Sequence, residues 1–267
     1  MPDRFVDANH LFDLGGKSAI VTGAARGIGR AIAEGLASVG VSVALADMLG
    51  DGLCDSEQAL AARGYRSIAV KTDICREQDR VALVAQTIAT FGRVDILVNV
   101  AGITRSTPSE VYPAEDWDLT LAVNLTAIFH LCKLVAQDMI PRRAGAIINV
   151  SSIGGALGFP NNPAYQASKS GVLGLTRALA TDWAKYNIRV NTLCPGYTRT
   201  DMTDKSFRDP HTHAARATRT MMNRWGLPAE MVGPVIFLAS DAASYVTGAD
   251  LFVDGGWVAA GLTEWQL

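Results

Sequence analysis

A chain of 267 residues, 49% hydrophobic and 19% charged, carries ample apolar material for a packed core, in one large domain or two small ones. Its formal net charge of -2 offers no basic field, which argues against nucleic acid as a partner. No run approaches the roughly 18 apolar residues of a membrane span.

In chain order, the N-terminal MPDRFVDANHLFDLGGK is acidic and lacks an apolar signal core, so residues 1–15 read as an extension and a cytoplasmic protein is expected. Short β-rich runs follow at KSAIVTG, VSVALAD, SIAVKTD and VDILVNV, separated by helix-length segments such as GRAIAEGLASVG and REQDRVALVAQTIATFG. The order βαβα implies a parallel sheet with helices on both faces. AIINVSS, IRVNTLCPG and DLFVDGG bring the count to about seven strands, each apolar enough to be covered on both sides. The fold class is therefore α/β, a single doubly wound domain over 16–267. The stretch 197–226 breaks the pattern, being polar and without a strand. It reads as an irregular excursion acting as a substrate lid. Cys54, Cys75, Cys132 and Cys194 are scattered, show no CxxC spacing, and read as reduced core fillers. His211 and His213 have a metal-like look but no third ligand. No metal is expected, and both read as lid surface.

Two features suggest a dinucleotide. Gly23, Gly27 and Gly29 sit between the first strand and the first helix, where small residues let a pyrophosphate approach the helix N-terminus. Asp47 ends the second strand, 18 residues after Gly29, near the spacing expected of an acid that bonds the adenosine ribose. A carboxylate there repels a 2′-phosphate and favours NAD over NADP, whereas Arg26 in the glycine turn pushes the other way. The acid, meeting the ribose directly, is expected to win.

With these motifs the chain resembles the short-chain dehydrogenase/reductase family. TGAARGIG (Thr22–Gly29) matches its TGxxxGIG, and NVAG (Asn99–Gly102) its NNAG, with Val100 replacing the second asparagine. AVNLTA supplies the mid-chain Asn124; Ser152, Tyr165 and Lys169 match the Ser-Tyr-x-x-x-Lys set; PGYTRT (Pro195–Thr200) matches the segment closing over the nicotinamide. The resemblance implies phosphate contacts at Gly23, Arg26, Gly27, Ile28 and Gly29, and a ribose contact at Asp47. Asp73 and Ile74 would flank the adenine, and Asn99, Ala101 and Gly102 would line the ribose path. Pro195, Gly196, Thr198 and Thr200 would lie on the nicotinamide side. It also implies a homotetramer, with the helices around Asn124 and Tyr165 at one interface and Trp257 or Trp265 available for another.

The chemistry asked of Tyr165 is proton transfer as hydride leaves or joins a carbinol carbon. A free phenol near pKa 10 is a poor base at neutral pH, and lowering it to about 7 takes roughly 4 kcal/mol. An ammonium about 4 Å away in an effective dielectric of 20 contributes about that much, so Lys169, one helical turn on and assisted by the positive nicotinamide of bound NAD, is a large enough cause. With Tyr165 it is also expected to contact the cofactor, its compact charge bonding ribose hydroxyls. Ser152 is to hold the substrate oxygen; it is chosen over Ser151 by its 13-residue spacing to Tyr165. By resemblance, Asn124 anchors a water linking Lys169 to solvent. Arg105, Asn161, Asn162 and Arg199 offer polar groups to a small polar alcohol or ketone. The C-terminal half resembles the branch of gluconate 5-dehydrogenases and deoxygluconate dehydrogenases. The resemblance implies an NAD-dependent oxidoreductase of polyols, sugars or sugar acids. A 3-oxoacyl-(acyl-carrier protein) reductase and a cofactor-sensing module without turnover are the alternatives.

Overall fold

All seven apolar runs become strands. In the computed structural model, which describes residues 8–260, they are β1 (Ser18–Thr22), β2 (Ser42–Asp47), β3 (Ser67–Lys71), β4 (Ile96–Asn99), β5 (Gly145–Val150), β6 (Ile188–Pro195) and β7 (Asp250–Val253). They form one sheet in the order β3-β2-β1-β4-β5-β6-β7, with every pairing parallel. Parallel neighbours require long crossovers. Helices α1 (Gly27–Ser38), α2 (Gly50–Ala61), α3 (Glu77–Phe91), α4 (Ala114–Arg142) and α5 (Pro163–Trp183) lie within them.

Strand alternation divides the core into two layers. Along β1, Ala19 and Val21 face the layer containing Ile32 and Leu36 of α1. Ile20 faces the other, with Leu83 of α3, Leu131 and Val135 of α4, and Val172 of α5. Burial on both faces explains why these strands read as continuous apolar runs. One expectation is corrected here: α4 is long and apolar enough to pass as a membrane span by length and composition. A helix packed on a sheet supplies the same pattern, and Ile128, Leu131, Val135 and Met139 lie in the second core layer.

The chain runs outward from β1 to β3 and then returns to place β4 on the other side of β1. That reversal opens a crevice beyond the carboxyl ends of β1 and β4. The segment after β6 covers it, and it is more ordered than its polarity suggested. It contains α6 (Asp204–Arg208) and α7 (Pro210–Ala217) and is pinched at its base by a bridge between Thr198 and Gly226. The signal was present in the sequence: the Asp209 carboxylate accepts from the Thr212 N–H at 2.7 Å, and Pro210 follows at the first helical position. The last helix, α8 (Val232–Ala239), returns to the first core layer through Val235 and Leu238.

Candidate active site

The glycine turn is built for close approach. Gly23 has φ +69°, and a Cβ there would lie 3.0 Å from the Ala101 backbone. At Gly29 it would lie 2.1 Å from the Gly23 carbonyl oxygen, so no side chain fits. Among the described residues no side chain caps α1 at Arg26, which leaves the positive end of the helix facing the crevice. Asp47 bends over this turn, accepting from Ala25 N–H at 3.1 Å and Leu49 N–H at 3.0 Å. These features suit a dinucleotide: a side-chain-free cradle, an uncapped helix start and an acid at the end of β2. Thr22, quoted in the motif but given no role, ties the cradle to β4 by accepting from the Val100 and Ala101 N–H groups at 3.0 and 3.1 Å. Arg26 is exposed and pairs with Asp201 at 2.9 Å, linking the glycine turn to the segment after β6.

Beside the turn lies a cavity of about 120 Å³. Ile28, Gly102, Ser152, Tyr165, Lys169, Pro195, Gly196, Thr198 and Thr200 line it, joined by Val100, Ser151, Met202 and Thr203. Thr203, which carried no motif, donates to the Thr198 carbonyl at 2.6 Å and so shapes the closing segment. A larger cavity of about 470 Å³ shares Gly196 and Thr198 but has none of Ser152, Tyr165 and Lys169 on its wall. The small one gathers the three candidate chemical groups.

Lys169 is 4% exposed; its ammonium donates to the Val150 carbonyl at 2.9 Å and lies 5.7 Å from the centroid of the Tyr165 ring. Burial pulls its pKa down to about 8, with Cys194 acting in the opposite direction. Burial likewise raises the Tyr165 phenol above its usual value; the Ser152 hydroxyl pulls the other way, and the nearby Tyr197 opposes ionisation. The expected phenol near 7 is therefore not a property of the free protein. Desolvation is the largest cause at both groups, and it favours both neutral forms.

The two serines separate cleanly. Ser151 donates to the Lys169 carbonyl at 2.8 Å and is buried, whereas Ser152 accepts from Gly154 N–H at 3.0 Å and faces the phenol. Asn124 sits on a π-turn (Ala122–Thr126) inside α4 and clamps Ile103, donating to its carbonyl and accepting from its N–H, both at 2.9 Å. Its amide also donates to the Ser168 hydroxyl at 3.2 Å. Both amide hydrogens are thus engaged, while the amide oxygen accepts one hydrogen bond and keeps a second acceptor position.

Several expectations need correction. The Asn99 side chain turns into the core, donating to Asn149 at 2.9 Å, and only its backbone stands at the strand end. Asp73 closes its own turn by accepting from Cys75 N–H, and Ile74 is buried; both lie away from the small cavity, on the side where an adenine would be expected. Arg105 faces Asp116 at 3.6 Å, Asn162 accepts from Thr104, Asn161 carries a left-handed turn at φ +62°, and Arg199 stacks on Phe207. His211 stays exposed but His213 does not: its ring stacks on Trp225 at 5.6 Å. No metal-binding group occurs among the described residues. Of the cysteines only Cys132 and Cys194 are core fillers, their thiols pushed up to about 12 by burial, while Cys54 and Cys75 are exposed. Trp257 packs on Tyr197 at 5.1 Å; Trp265 lies outside the described residues.

Comparison with known proteins agrees with this geometry. The family model described as Enoyl-(Acyl carrier protein) reductase matches residues 23–258. Gluconate 5-dehydrogenase of Gluconobacter oxydans is 38% identical over 246 residues, covering 92% of this chain and 96% of the relative. A 3-oxoacyl-[acyl-carrier-protein] reductase of Synechocystis is also 38% identical, over 90% of this chain and 96% of its own. Among solved structures, a gluconate 5-dehydrogenase from Burkholderia cenocepacia in complex with NADP and tartrate superposes with a TM-score of 0.91 at 35% identity, covering 95% and 99% of the two chains. A glycine cradle, a Ser-Tyr-Lys cavity at the sheet reversal and relatives matched over nearly their whole length lead to one assignment: this chain belongs to the short-chain dehydrogenase/reductase family of oxidoreductases.

Proposed function

We propose that this protein is an NAD-dependent dehydrogenase acting on a polar secondary alcohol: a polyol, sugar or sugar acid. The observation carrying the reading is that Ser152, Tyr165 and Lys169 line one cavity with Ile28 of the glycine turn and Thr198 of the closing segment. Gly23, Gly27 and Gly29 would hold the dinucleotide and Asp47 would meet its ribose; when bound, it would supply the hydride acceptor or donor. Ser152 orients the substrate oxygen, Tyr165 takes or returns its proton, and Lys169 holds positive charge beside that phenol. Asn124 fixes the Ile103 backbone and thereby the wall carrying Gly102.

Asp47 supports the NAD preference. Its carboxylate already bonds two backbone N–H groups, so it is held in place to meet ribose hydroxyls and to repel a phosphate. Arg26, the opposing cation, is engaged by Asp201, though an exposed pair of this kind contributes only about 0–1 kcal/mol. Wild-type kcat/KM is expected to favour NAD over NADP, and Asp47→Ala to lower that ratio by about tenfold or more. An unchanged ratio would remove Asp47 from cofactor choice.

A ketoreductase of acyl thioesters is the second reading, favoured by the Synechocystis relative. A screen over polyols, aldonates and 3-oxoacyl thioesters with both cofactors decides between them: turnover confined to thioesters overturns the first. Assembly as a homotetramer fits the exposed Trp117, Leu119 and Phe129 on α4, a helix expected at an interface.

A further inference from the structure

The substrate side of Tyr165 is walled by aromatic rings. A Cβ at Gly154 would lie 3.4 Å from the Tyr165 ring, 3.5 Å from the Ser152 hydroxyl and 3.6 Å from Phe159, so this glycine brings the three together. Phe159 meets Tyr197 and Trp257 edge-on, each at 6.1 Å, and Tyr197 meets Trp257 at 5.1 Å.

Two guanidinium groups lie over this wall from the lid. Arg216 of α7 sits 4.0 Å from the Tyr197 ring centroid, and Arg219, just beyond α7, sits 5.9 Å from that of Trp257. Neither has a carboxylate partner among the described residues. Their neighbours do: Arg208 pairs with Asp204 at 2.8 Å, and Arg224 with Glu230 at 2.6 Å. Arg199 also lacks a carboxylate, but it stacks on Phe207, which contacts His213 and Trp225 rather than Phe159 or Trp257. A guanidinium attracted to a ring face is positioned by it while its forked N–H groups stay available to a ligand. Such a fork matches a carboxylate in two parallel hydrogen bonds.

We infer that Arg216 and Arg219 are specificity-determining residues that hold the carboxylate of a hydroxy-acid substrate while its carbinol oxygen meets Ser152 and Tyr165. The inference rests on the dehydrogenase reading above and narrows its substrate class to sugar acids.

The test compares D-gluconate with sorbitol, which replaces the carboxylate by a neutral carbinol. In Arg216→Ala and Arg219→Ala, the ratio of kcat/KM for gluconate over sorbitol is expected to fall by about 10- to 100-fold, the loss appearing mainly in KM. Arg216→Lys, which keeps the charge but not the fork, should give an intermediate ratio. Gluconate binding, followed through the fluorescence of Trp225 and Trp257, should weaken in parallel in both alanine variants. A ratio unchanged in both alanine variants overturns the inference and leaves the dehydrogenase intact. So does a wild-type enzyme that oxidises sorbitol and has no affinity for gluconate. If wild type oxidises no alcohol yet binds gluconate in an arginine-dependent way, the dehydrogenase reading fails and the carboxylate site stands.

Discussion

Phenylalanine in place of Tyr165 is expected to lower kcat for alcohol oxidation by about 10²- to 10⁴-fold, the usual range for loss of a positioned proton-transfer group. The ring remains and only the hydroxyl is lost, so cofactor affinity should change by no more than about threefold. The free protein sharpens the expectation. Burial holds the phenol above its usual value, and Tyr197 opposes ionisation as well, so Tyr165 should remain a neutral phenol in the cofactor-free chain at neutral pH. Lys169 holds a positive charge on the Tyr165 side of the cavity, and an oxidised dinucleotide, when bound, would add a second that favours the phenolate. Steady-state turnover measures the first point. The ultraviolet phenolate difference between wild type and Tyr165→Phe, with and without NAD, measures the second. Turnover within tenfold of wild type would remove Tyr165 from the chemistry, whatever its place in the cavity.

Much of this site could be read from residue types because the physics is local. Strands covered on both faces must be apolar throughout, so the seven runs were visible. The four-residue step from Tyr165 to Lys169 fixes both on one face of α5, and the spacing to Tyr165 selected Ser152 over Ser151. What escaped depends on burial and on parity. The side chain of Asn99 faces the core because alternation along a four-residue strand puts it there, and its motif does not reveal which way it turns. The π-turn at Asn124 and the clamp of its side chain on Ile103, 21 residues away, leave no mark in the motif itself. The aromatic wall joins Phe159, Tyr197 and Trp257 from three separate segments, and Arg216 and Arg219 gain their meaning only from those rings. The lid helices were a different kind of miss, since Asp209-Pro210 is a start signal that polarity obscured. The upward shift of the phenol in the cofactor-free protein was not legible either: Coulomb's law between two groups can be written from spacing alone, but desolvation requires knowing how deep they lie.

The second large effect concerns Lys169 and separates activity from stability. Lys169→Met keeps an unbranched chain of similar length and removes the ammonium. Turnover should fall by about 10²- to 10⁴-fold, because the phenol loses the positive charge beside it. Folding stability of the free protein should move the other way. The folded pKa of Lys169 is about 8 against 10.5 for the ordinary side chain. Between those values the unfolded chain binds more protons at this residue than the native one, so stability rises with pH there. Below about pH 8 both states are protonated and the full cost of a buried ammonium, about 3 kcal/mol, is borne by the native state. Removing the ammonium should therefore give the variant a stability advantage over wild type that is largest at neutral pH and shrinks by about 3 kcal/mol as pH approaches 10.5. Taking the difference between the two chains matters, because Cys132 and Cys194, with thiols raised to about 12, add a slope of opposite sign to both. Urea denaturation of the cofactor-free proteins at intervals from pH 7 to 10.5 reads this directly. Parallel curves for the two chains would mean that the native protein solvates this ammonium as well as water does, and that a carbonyl at 2.9 Å is enough to hold it charged.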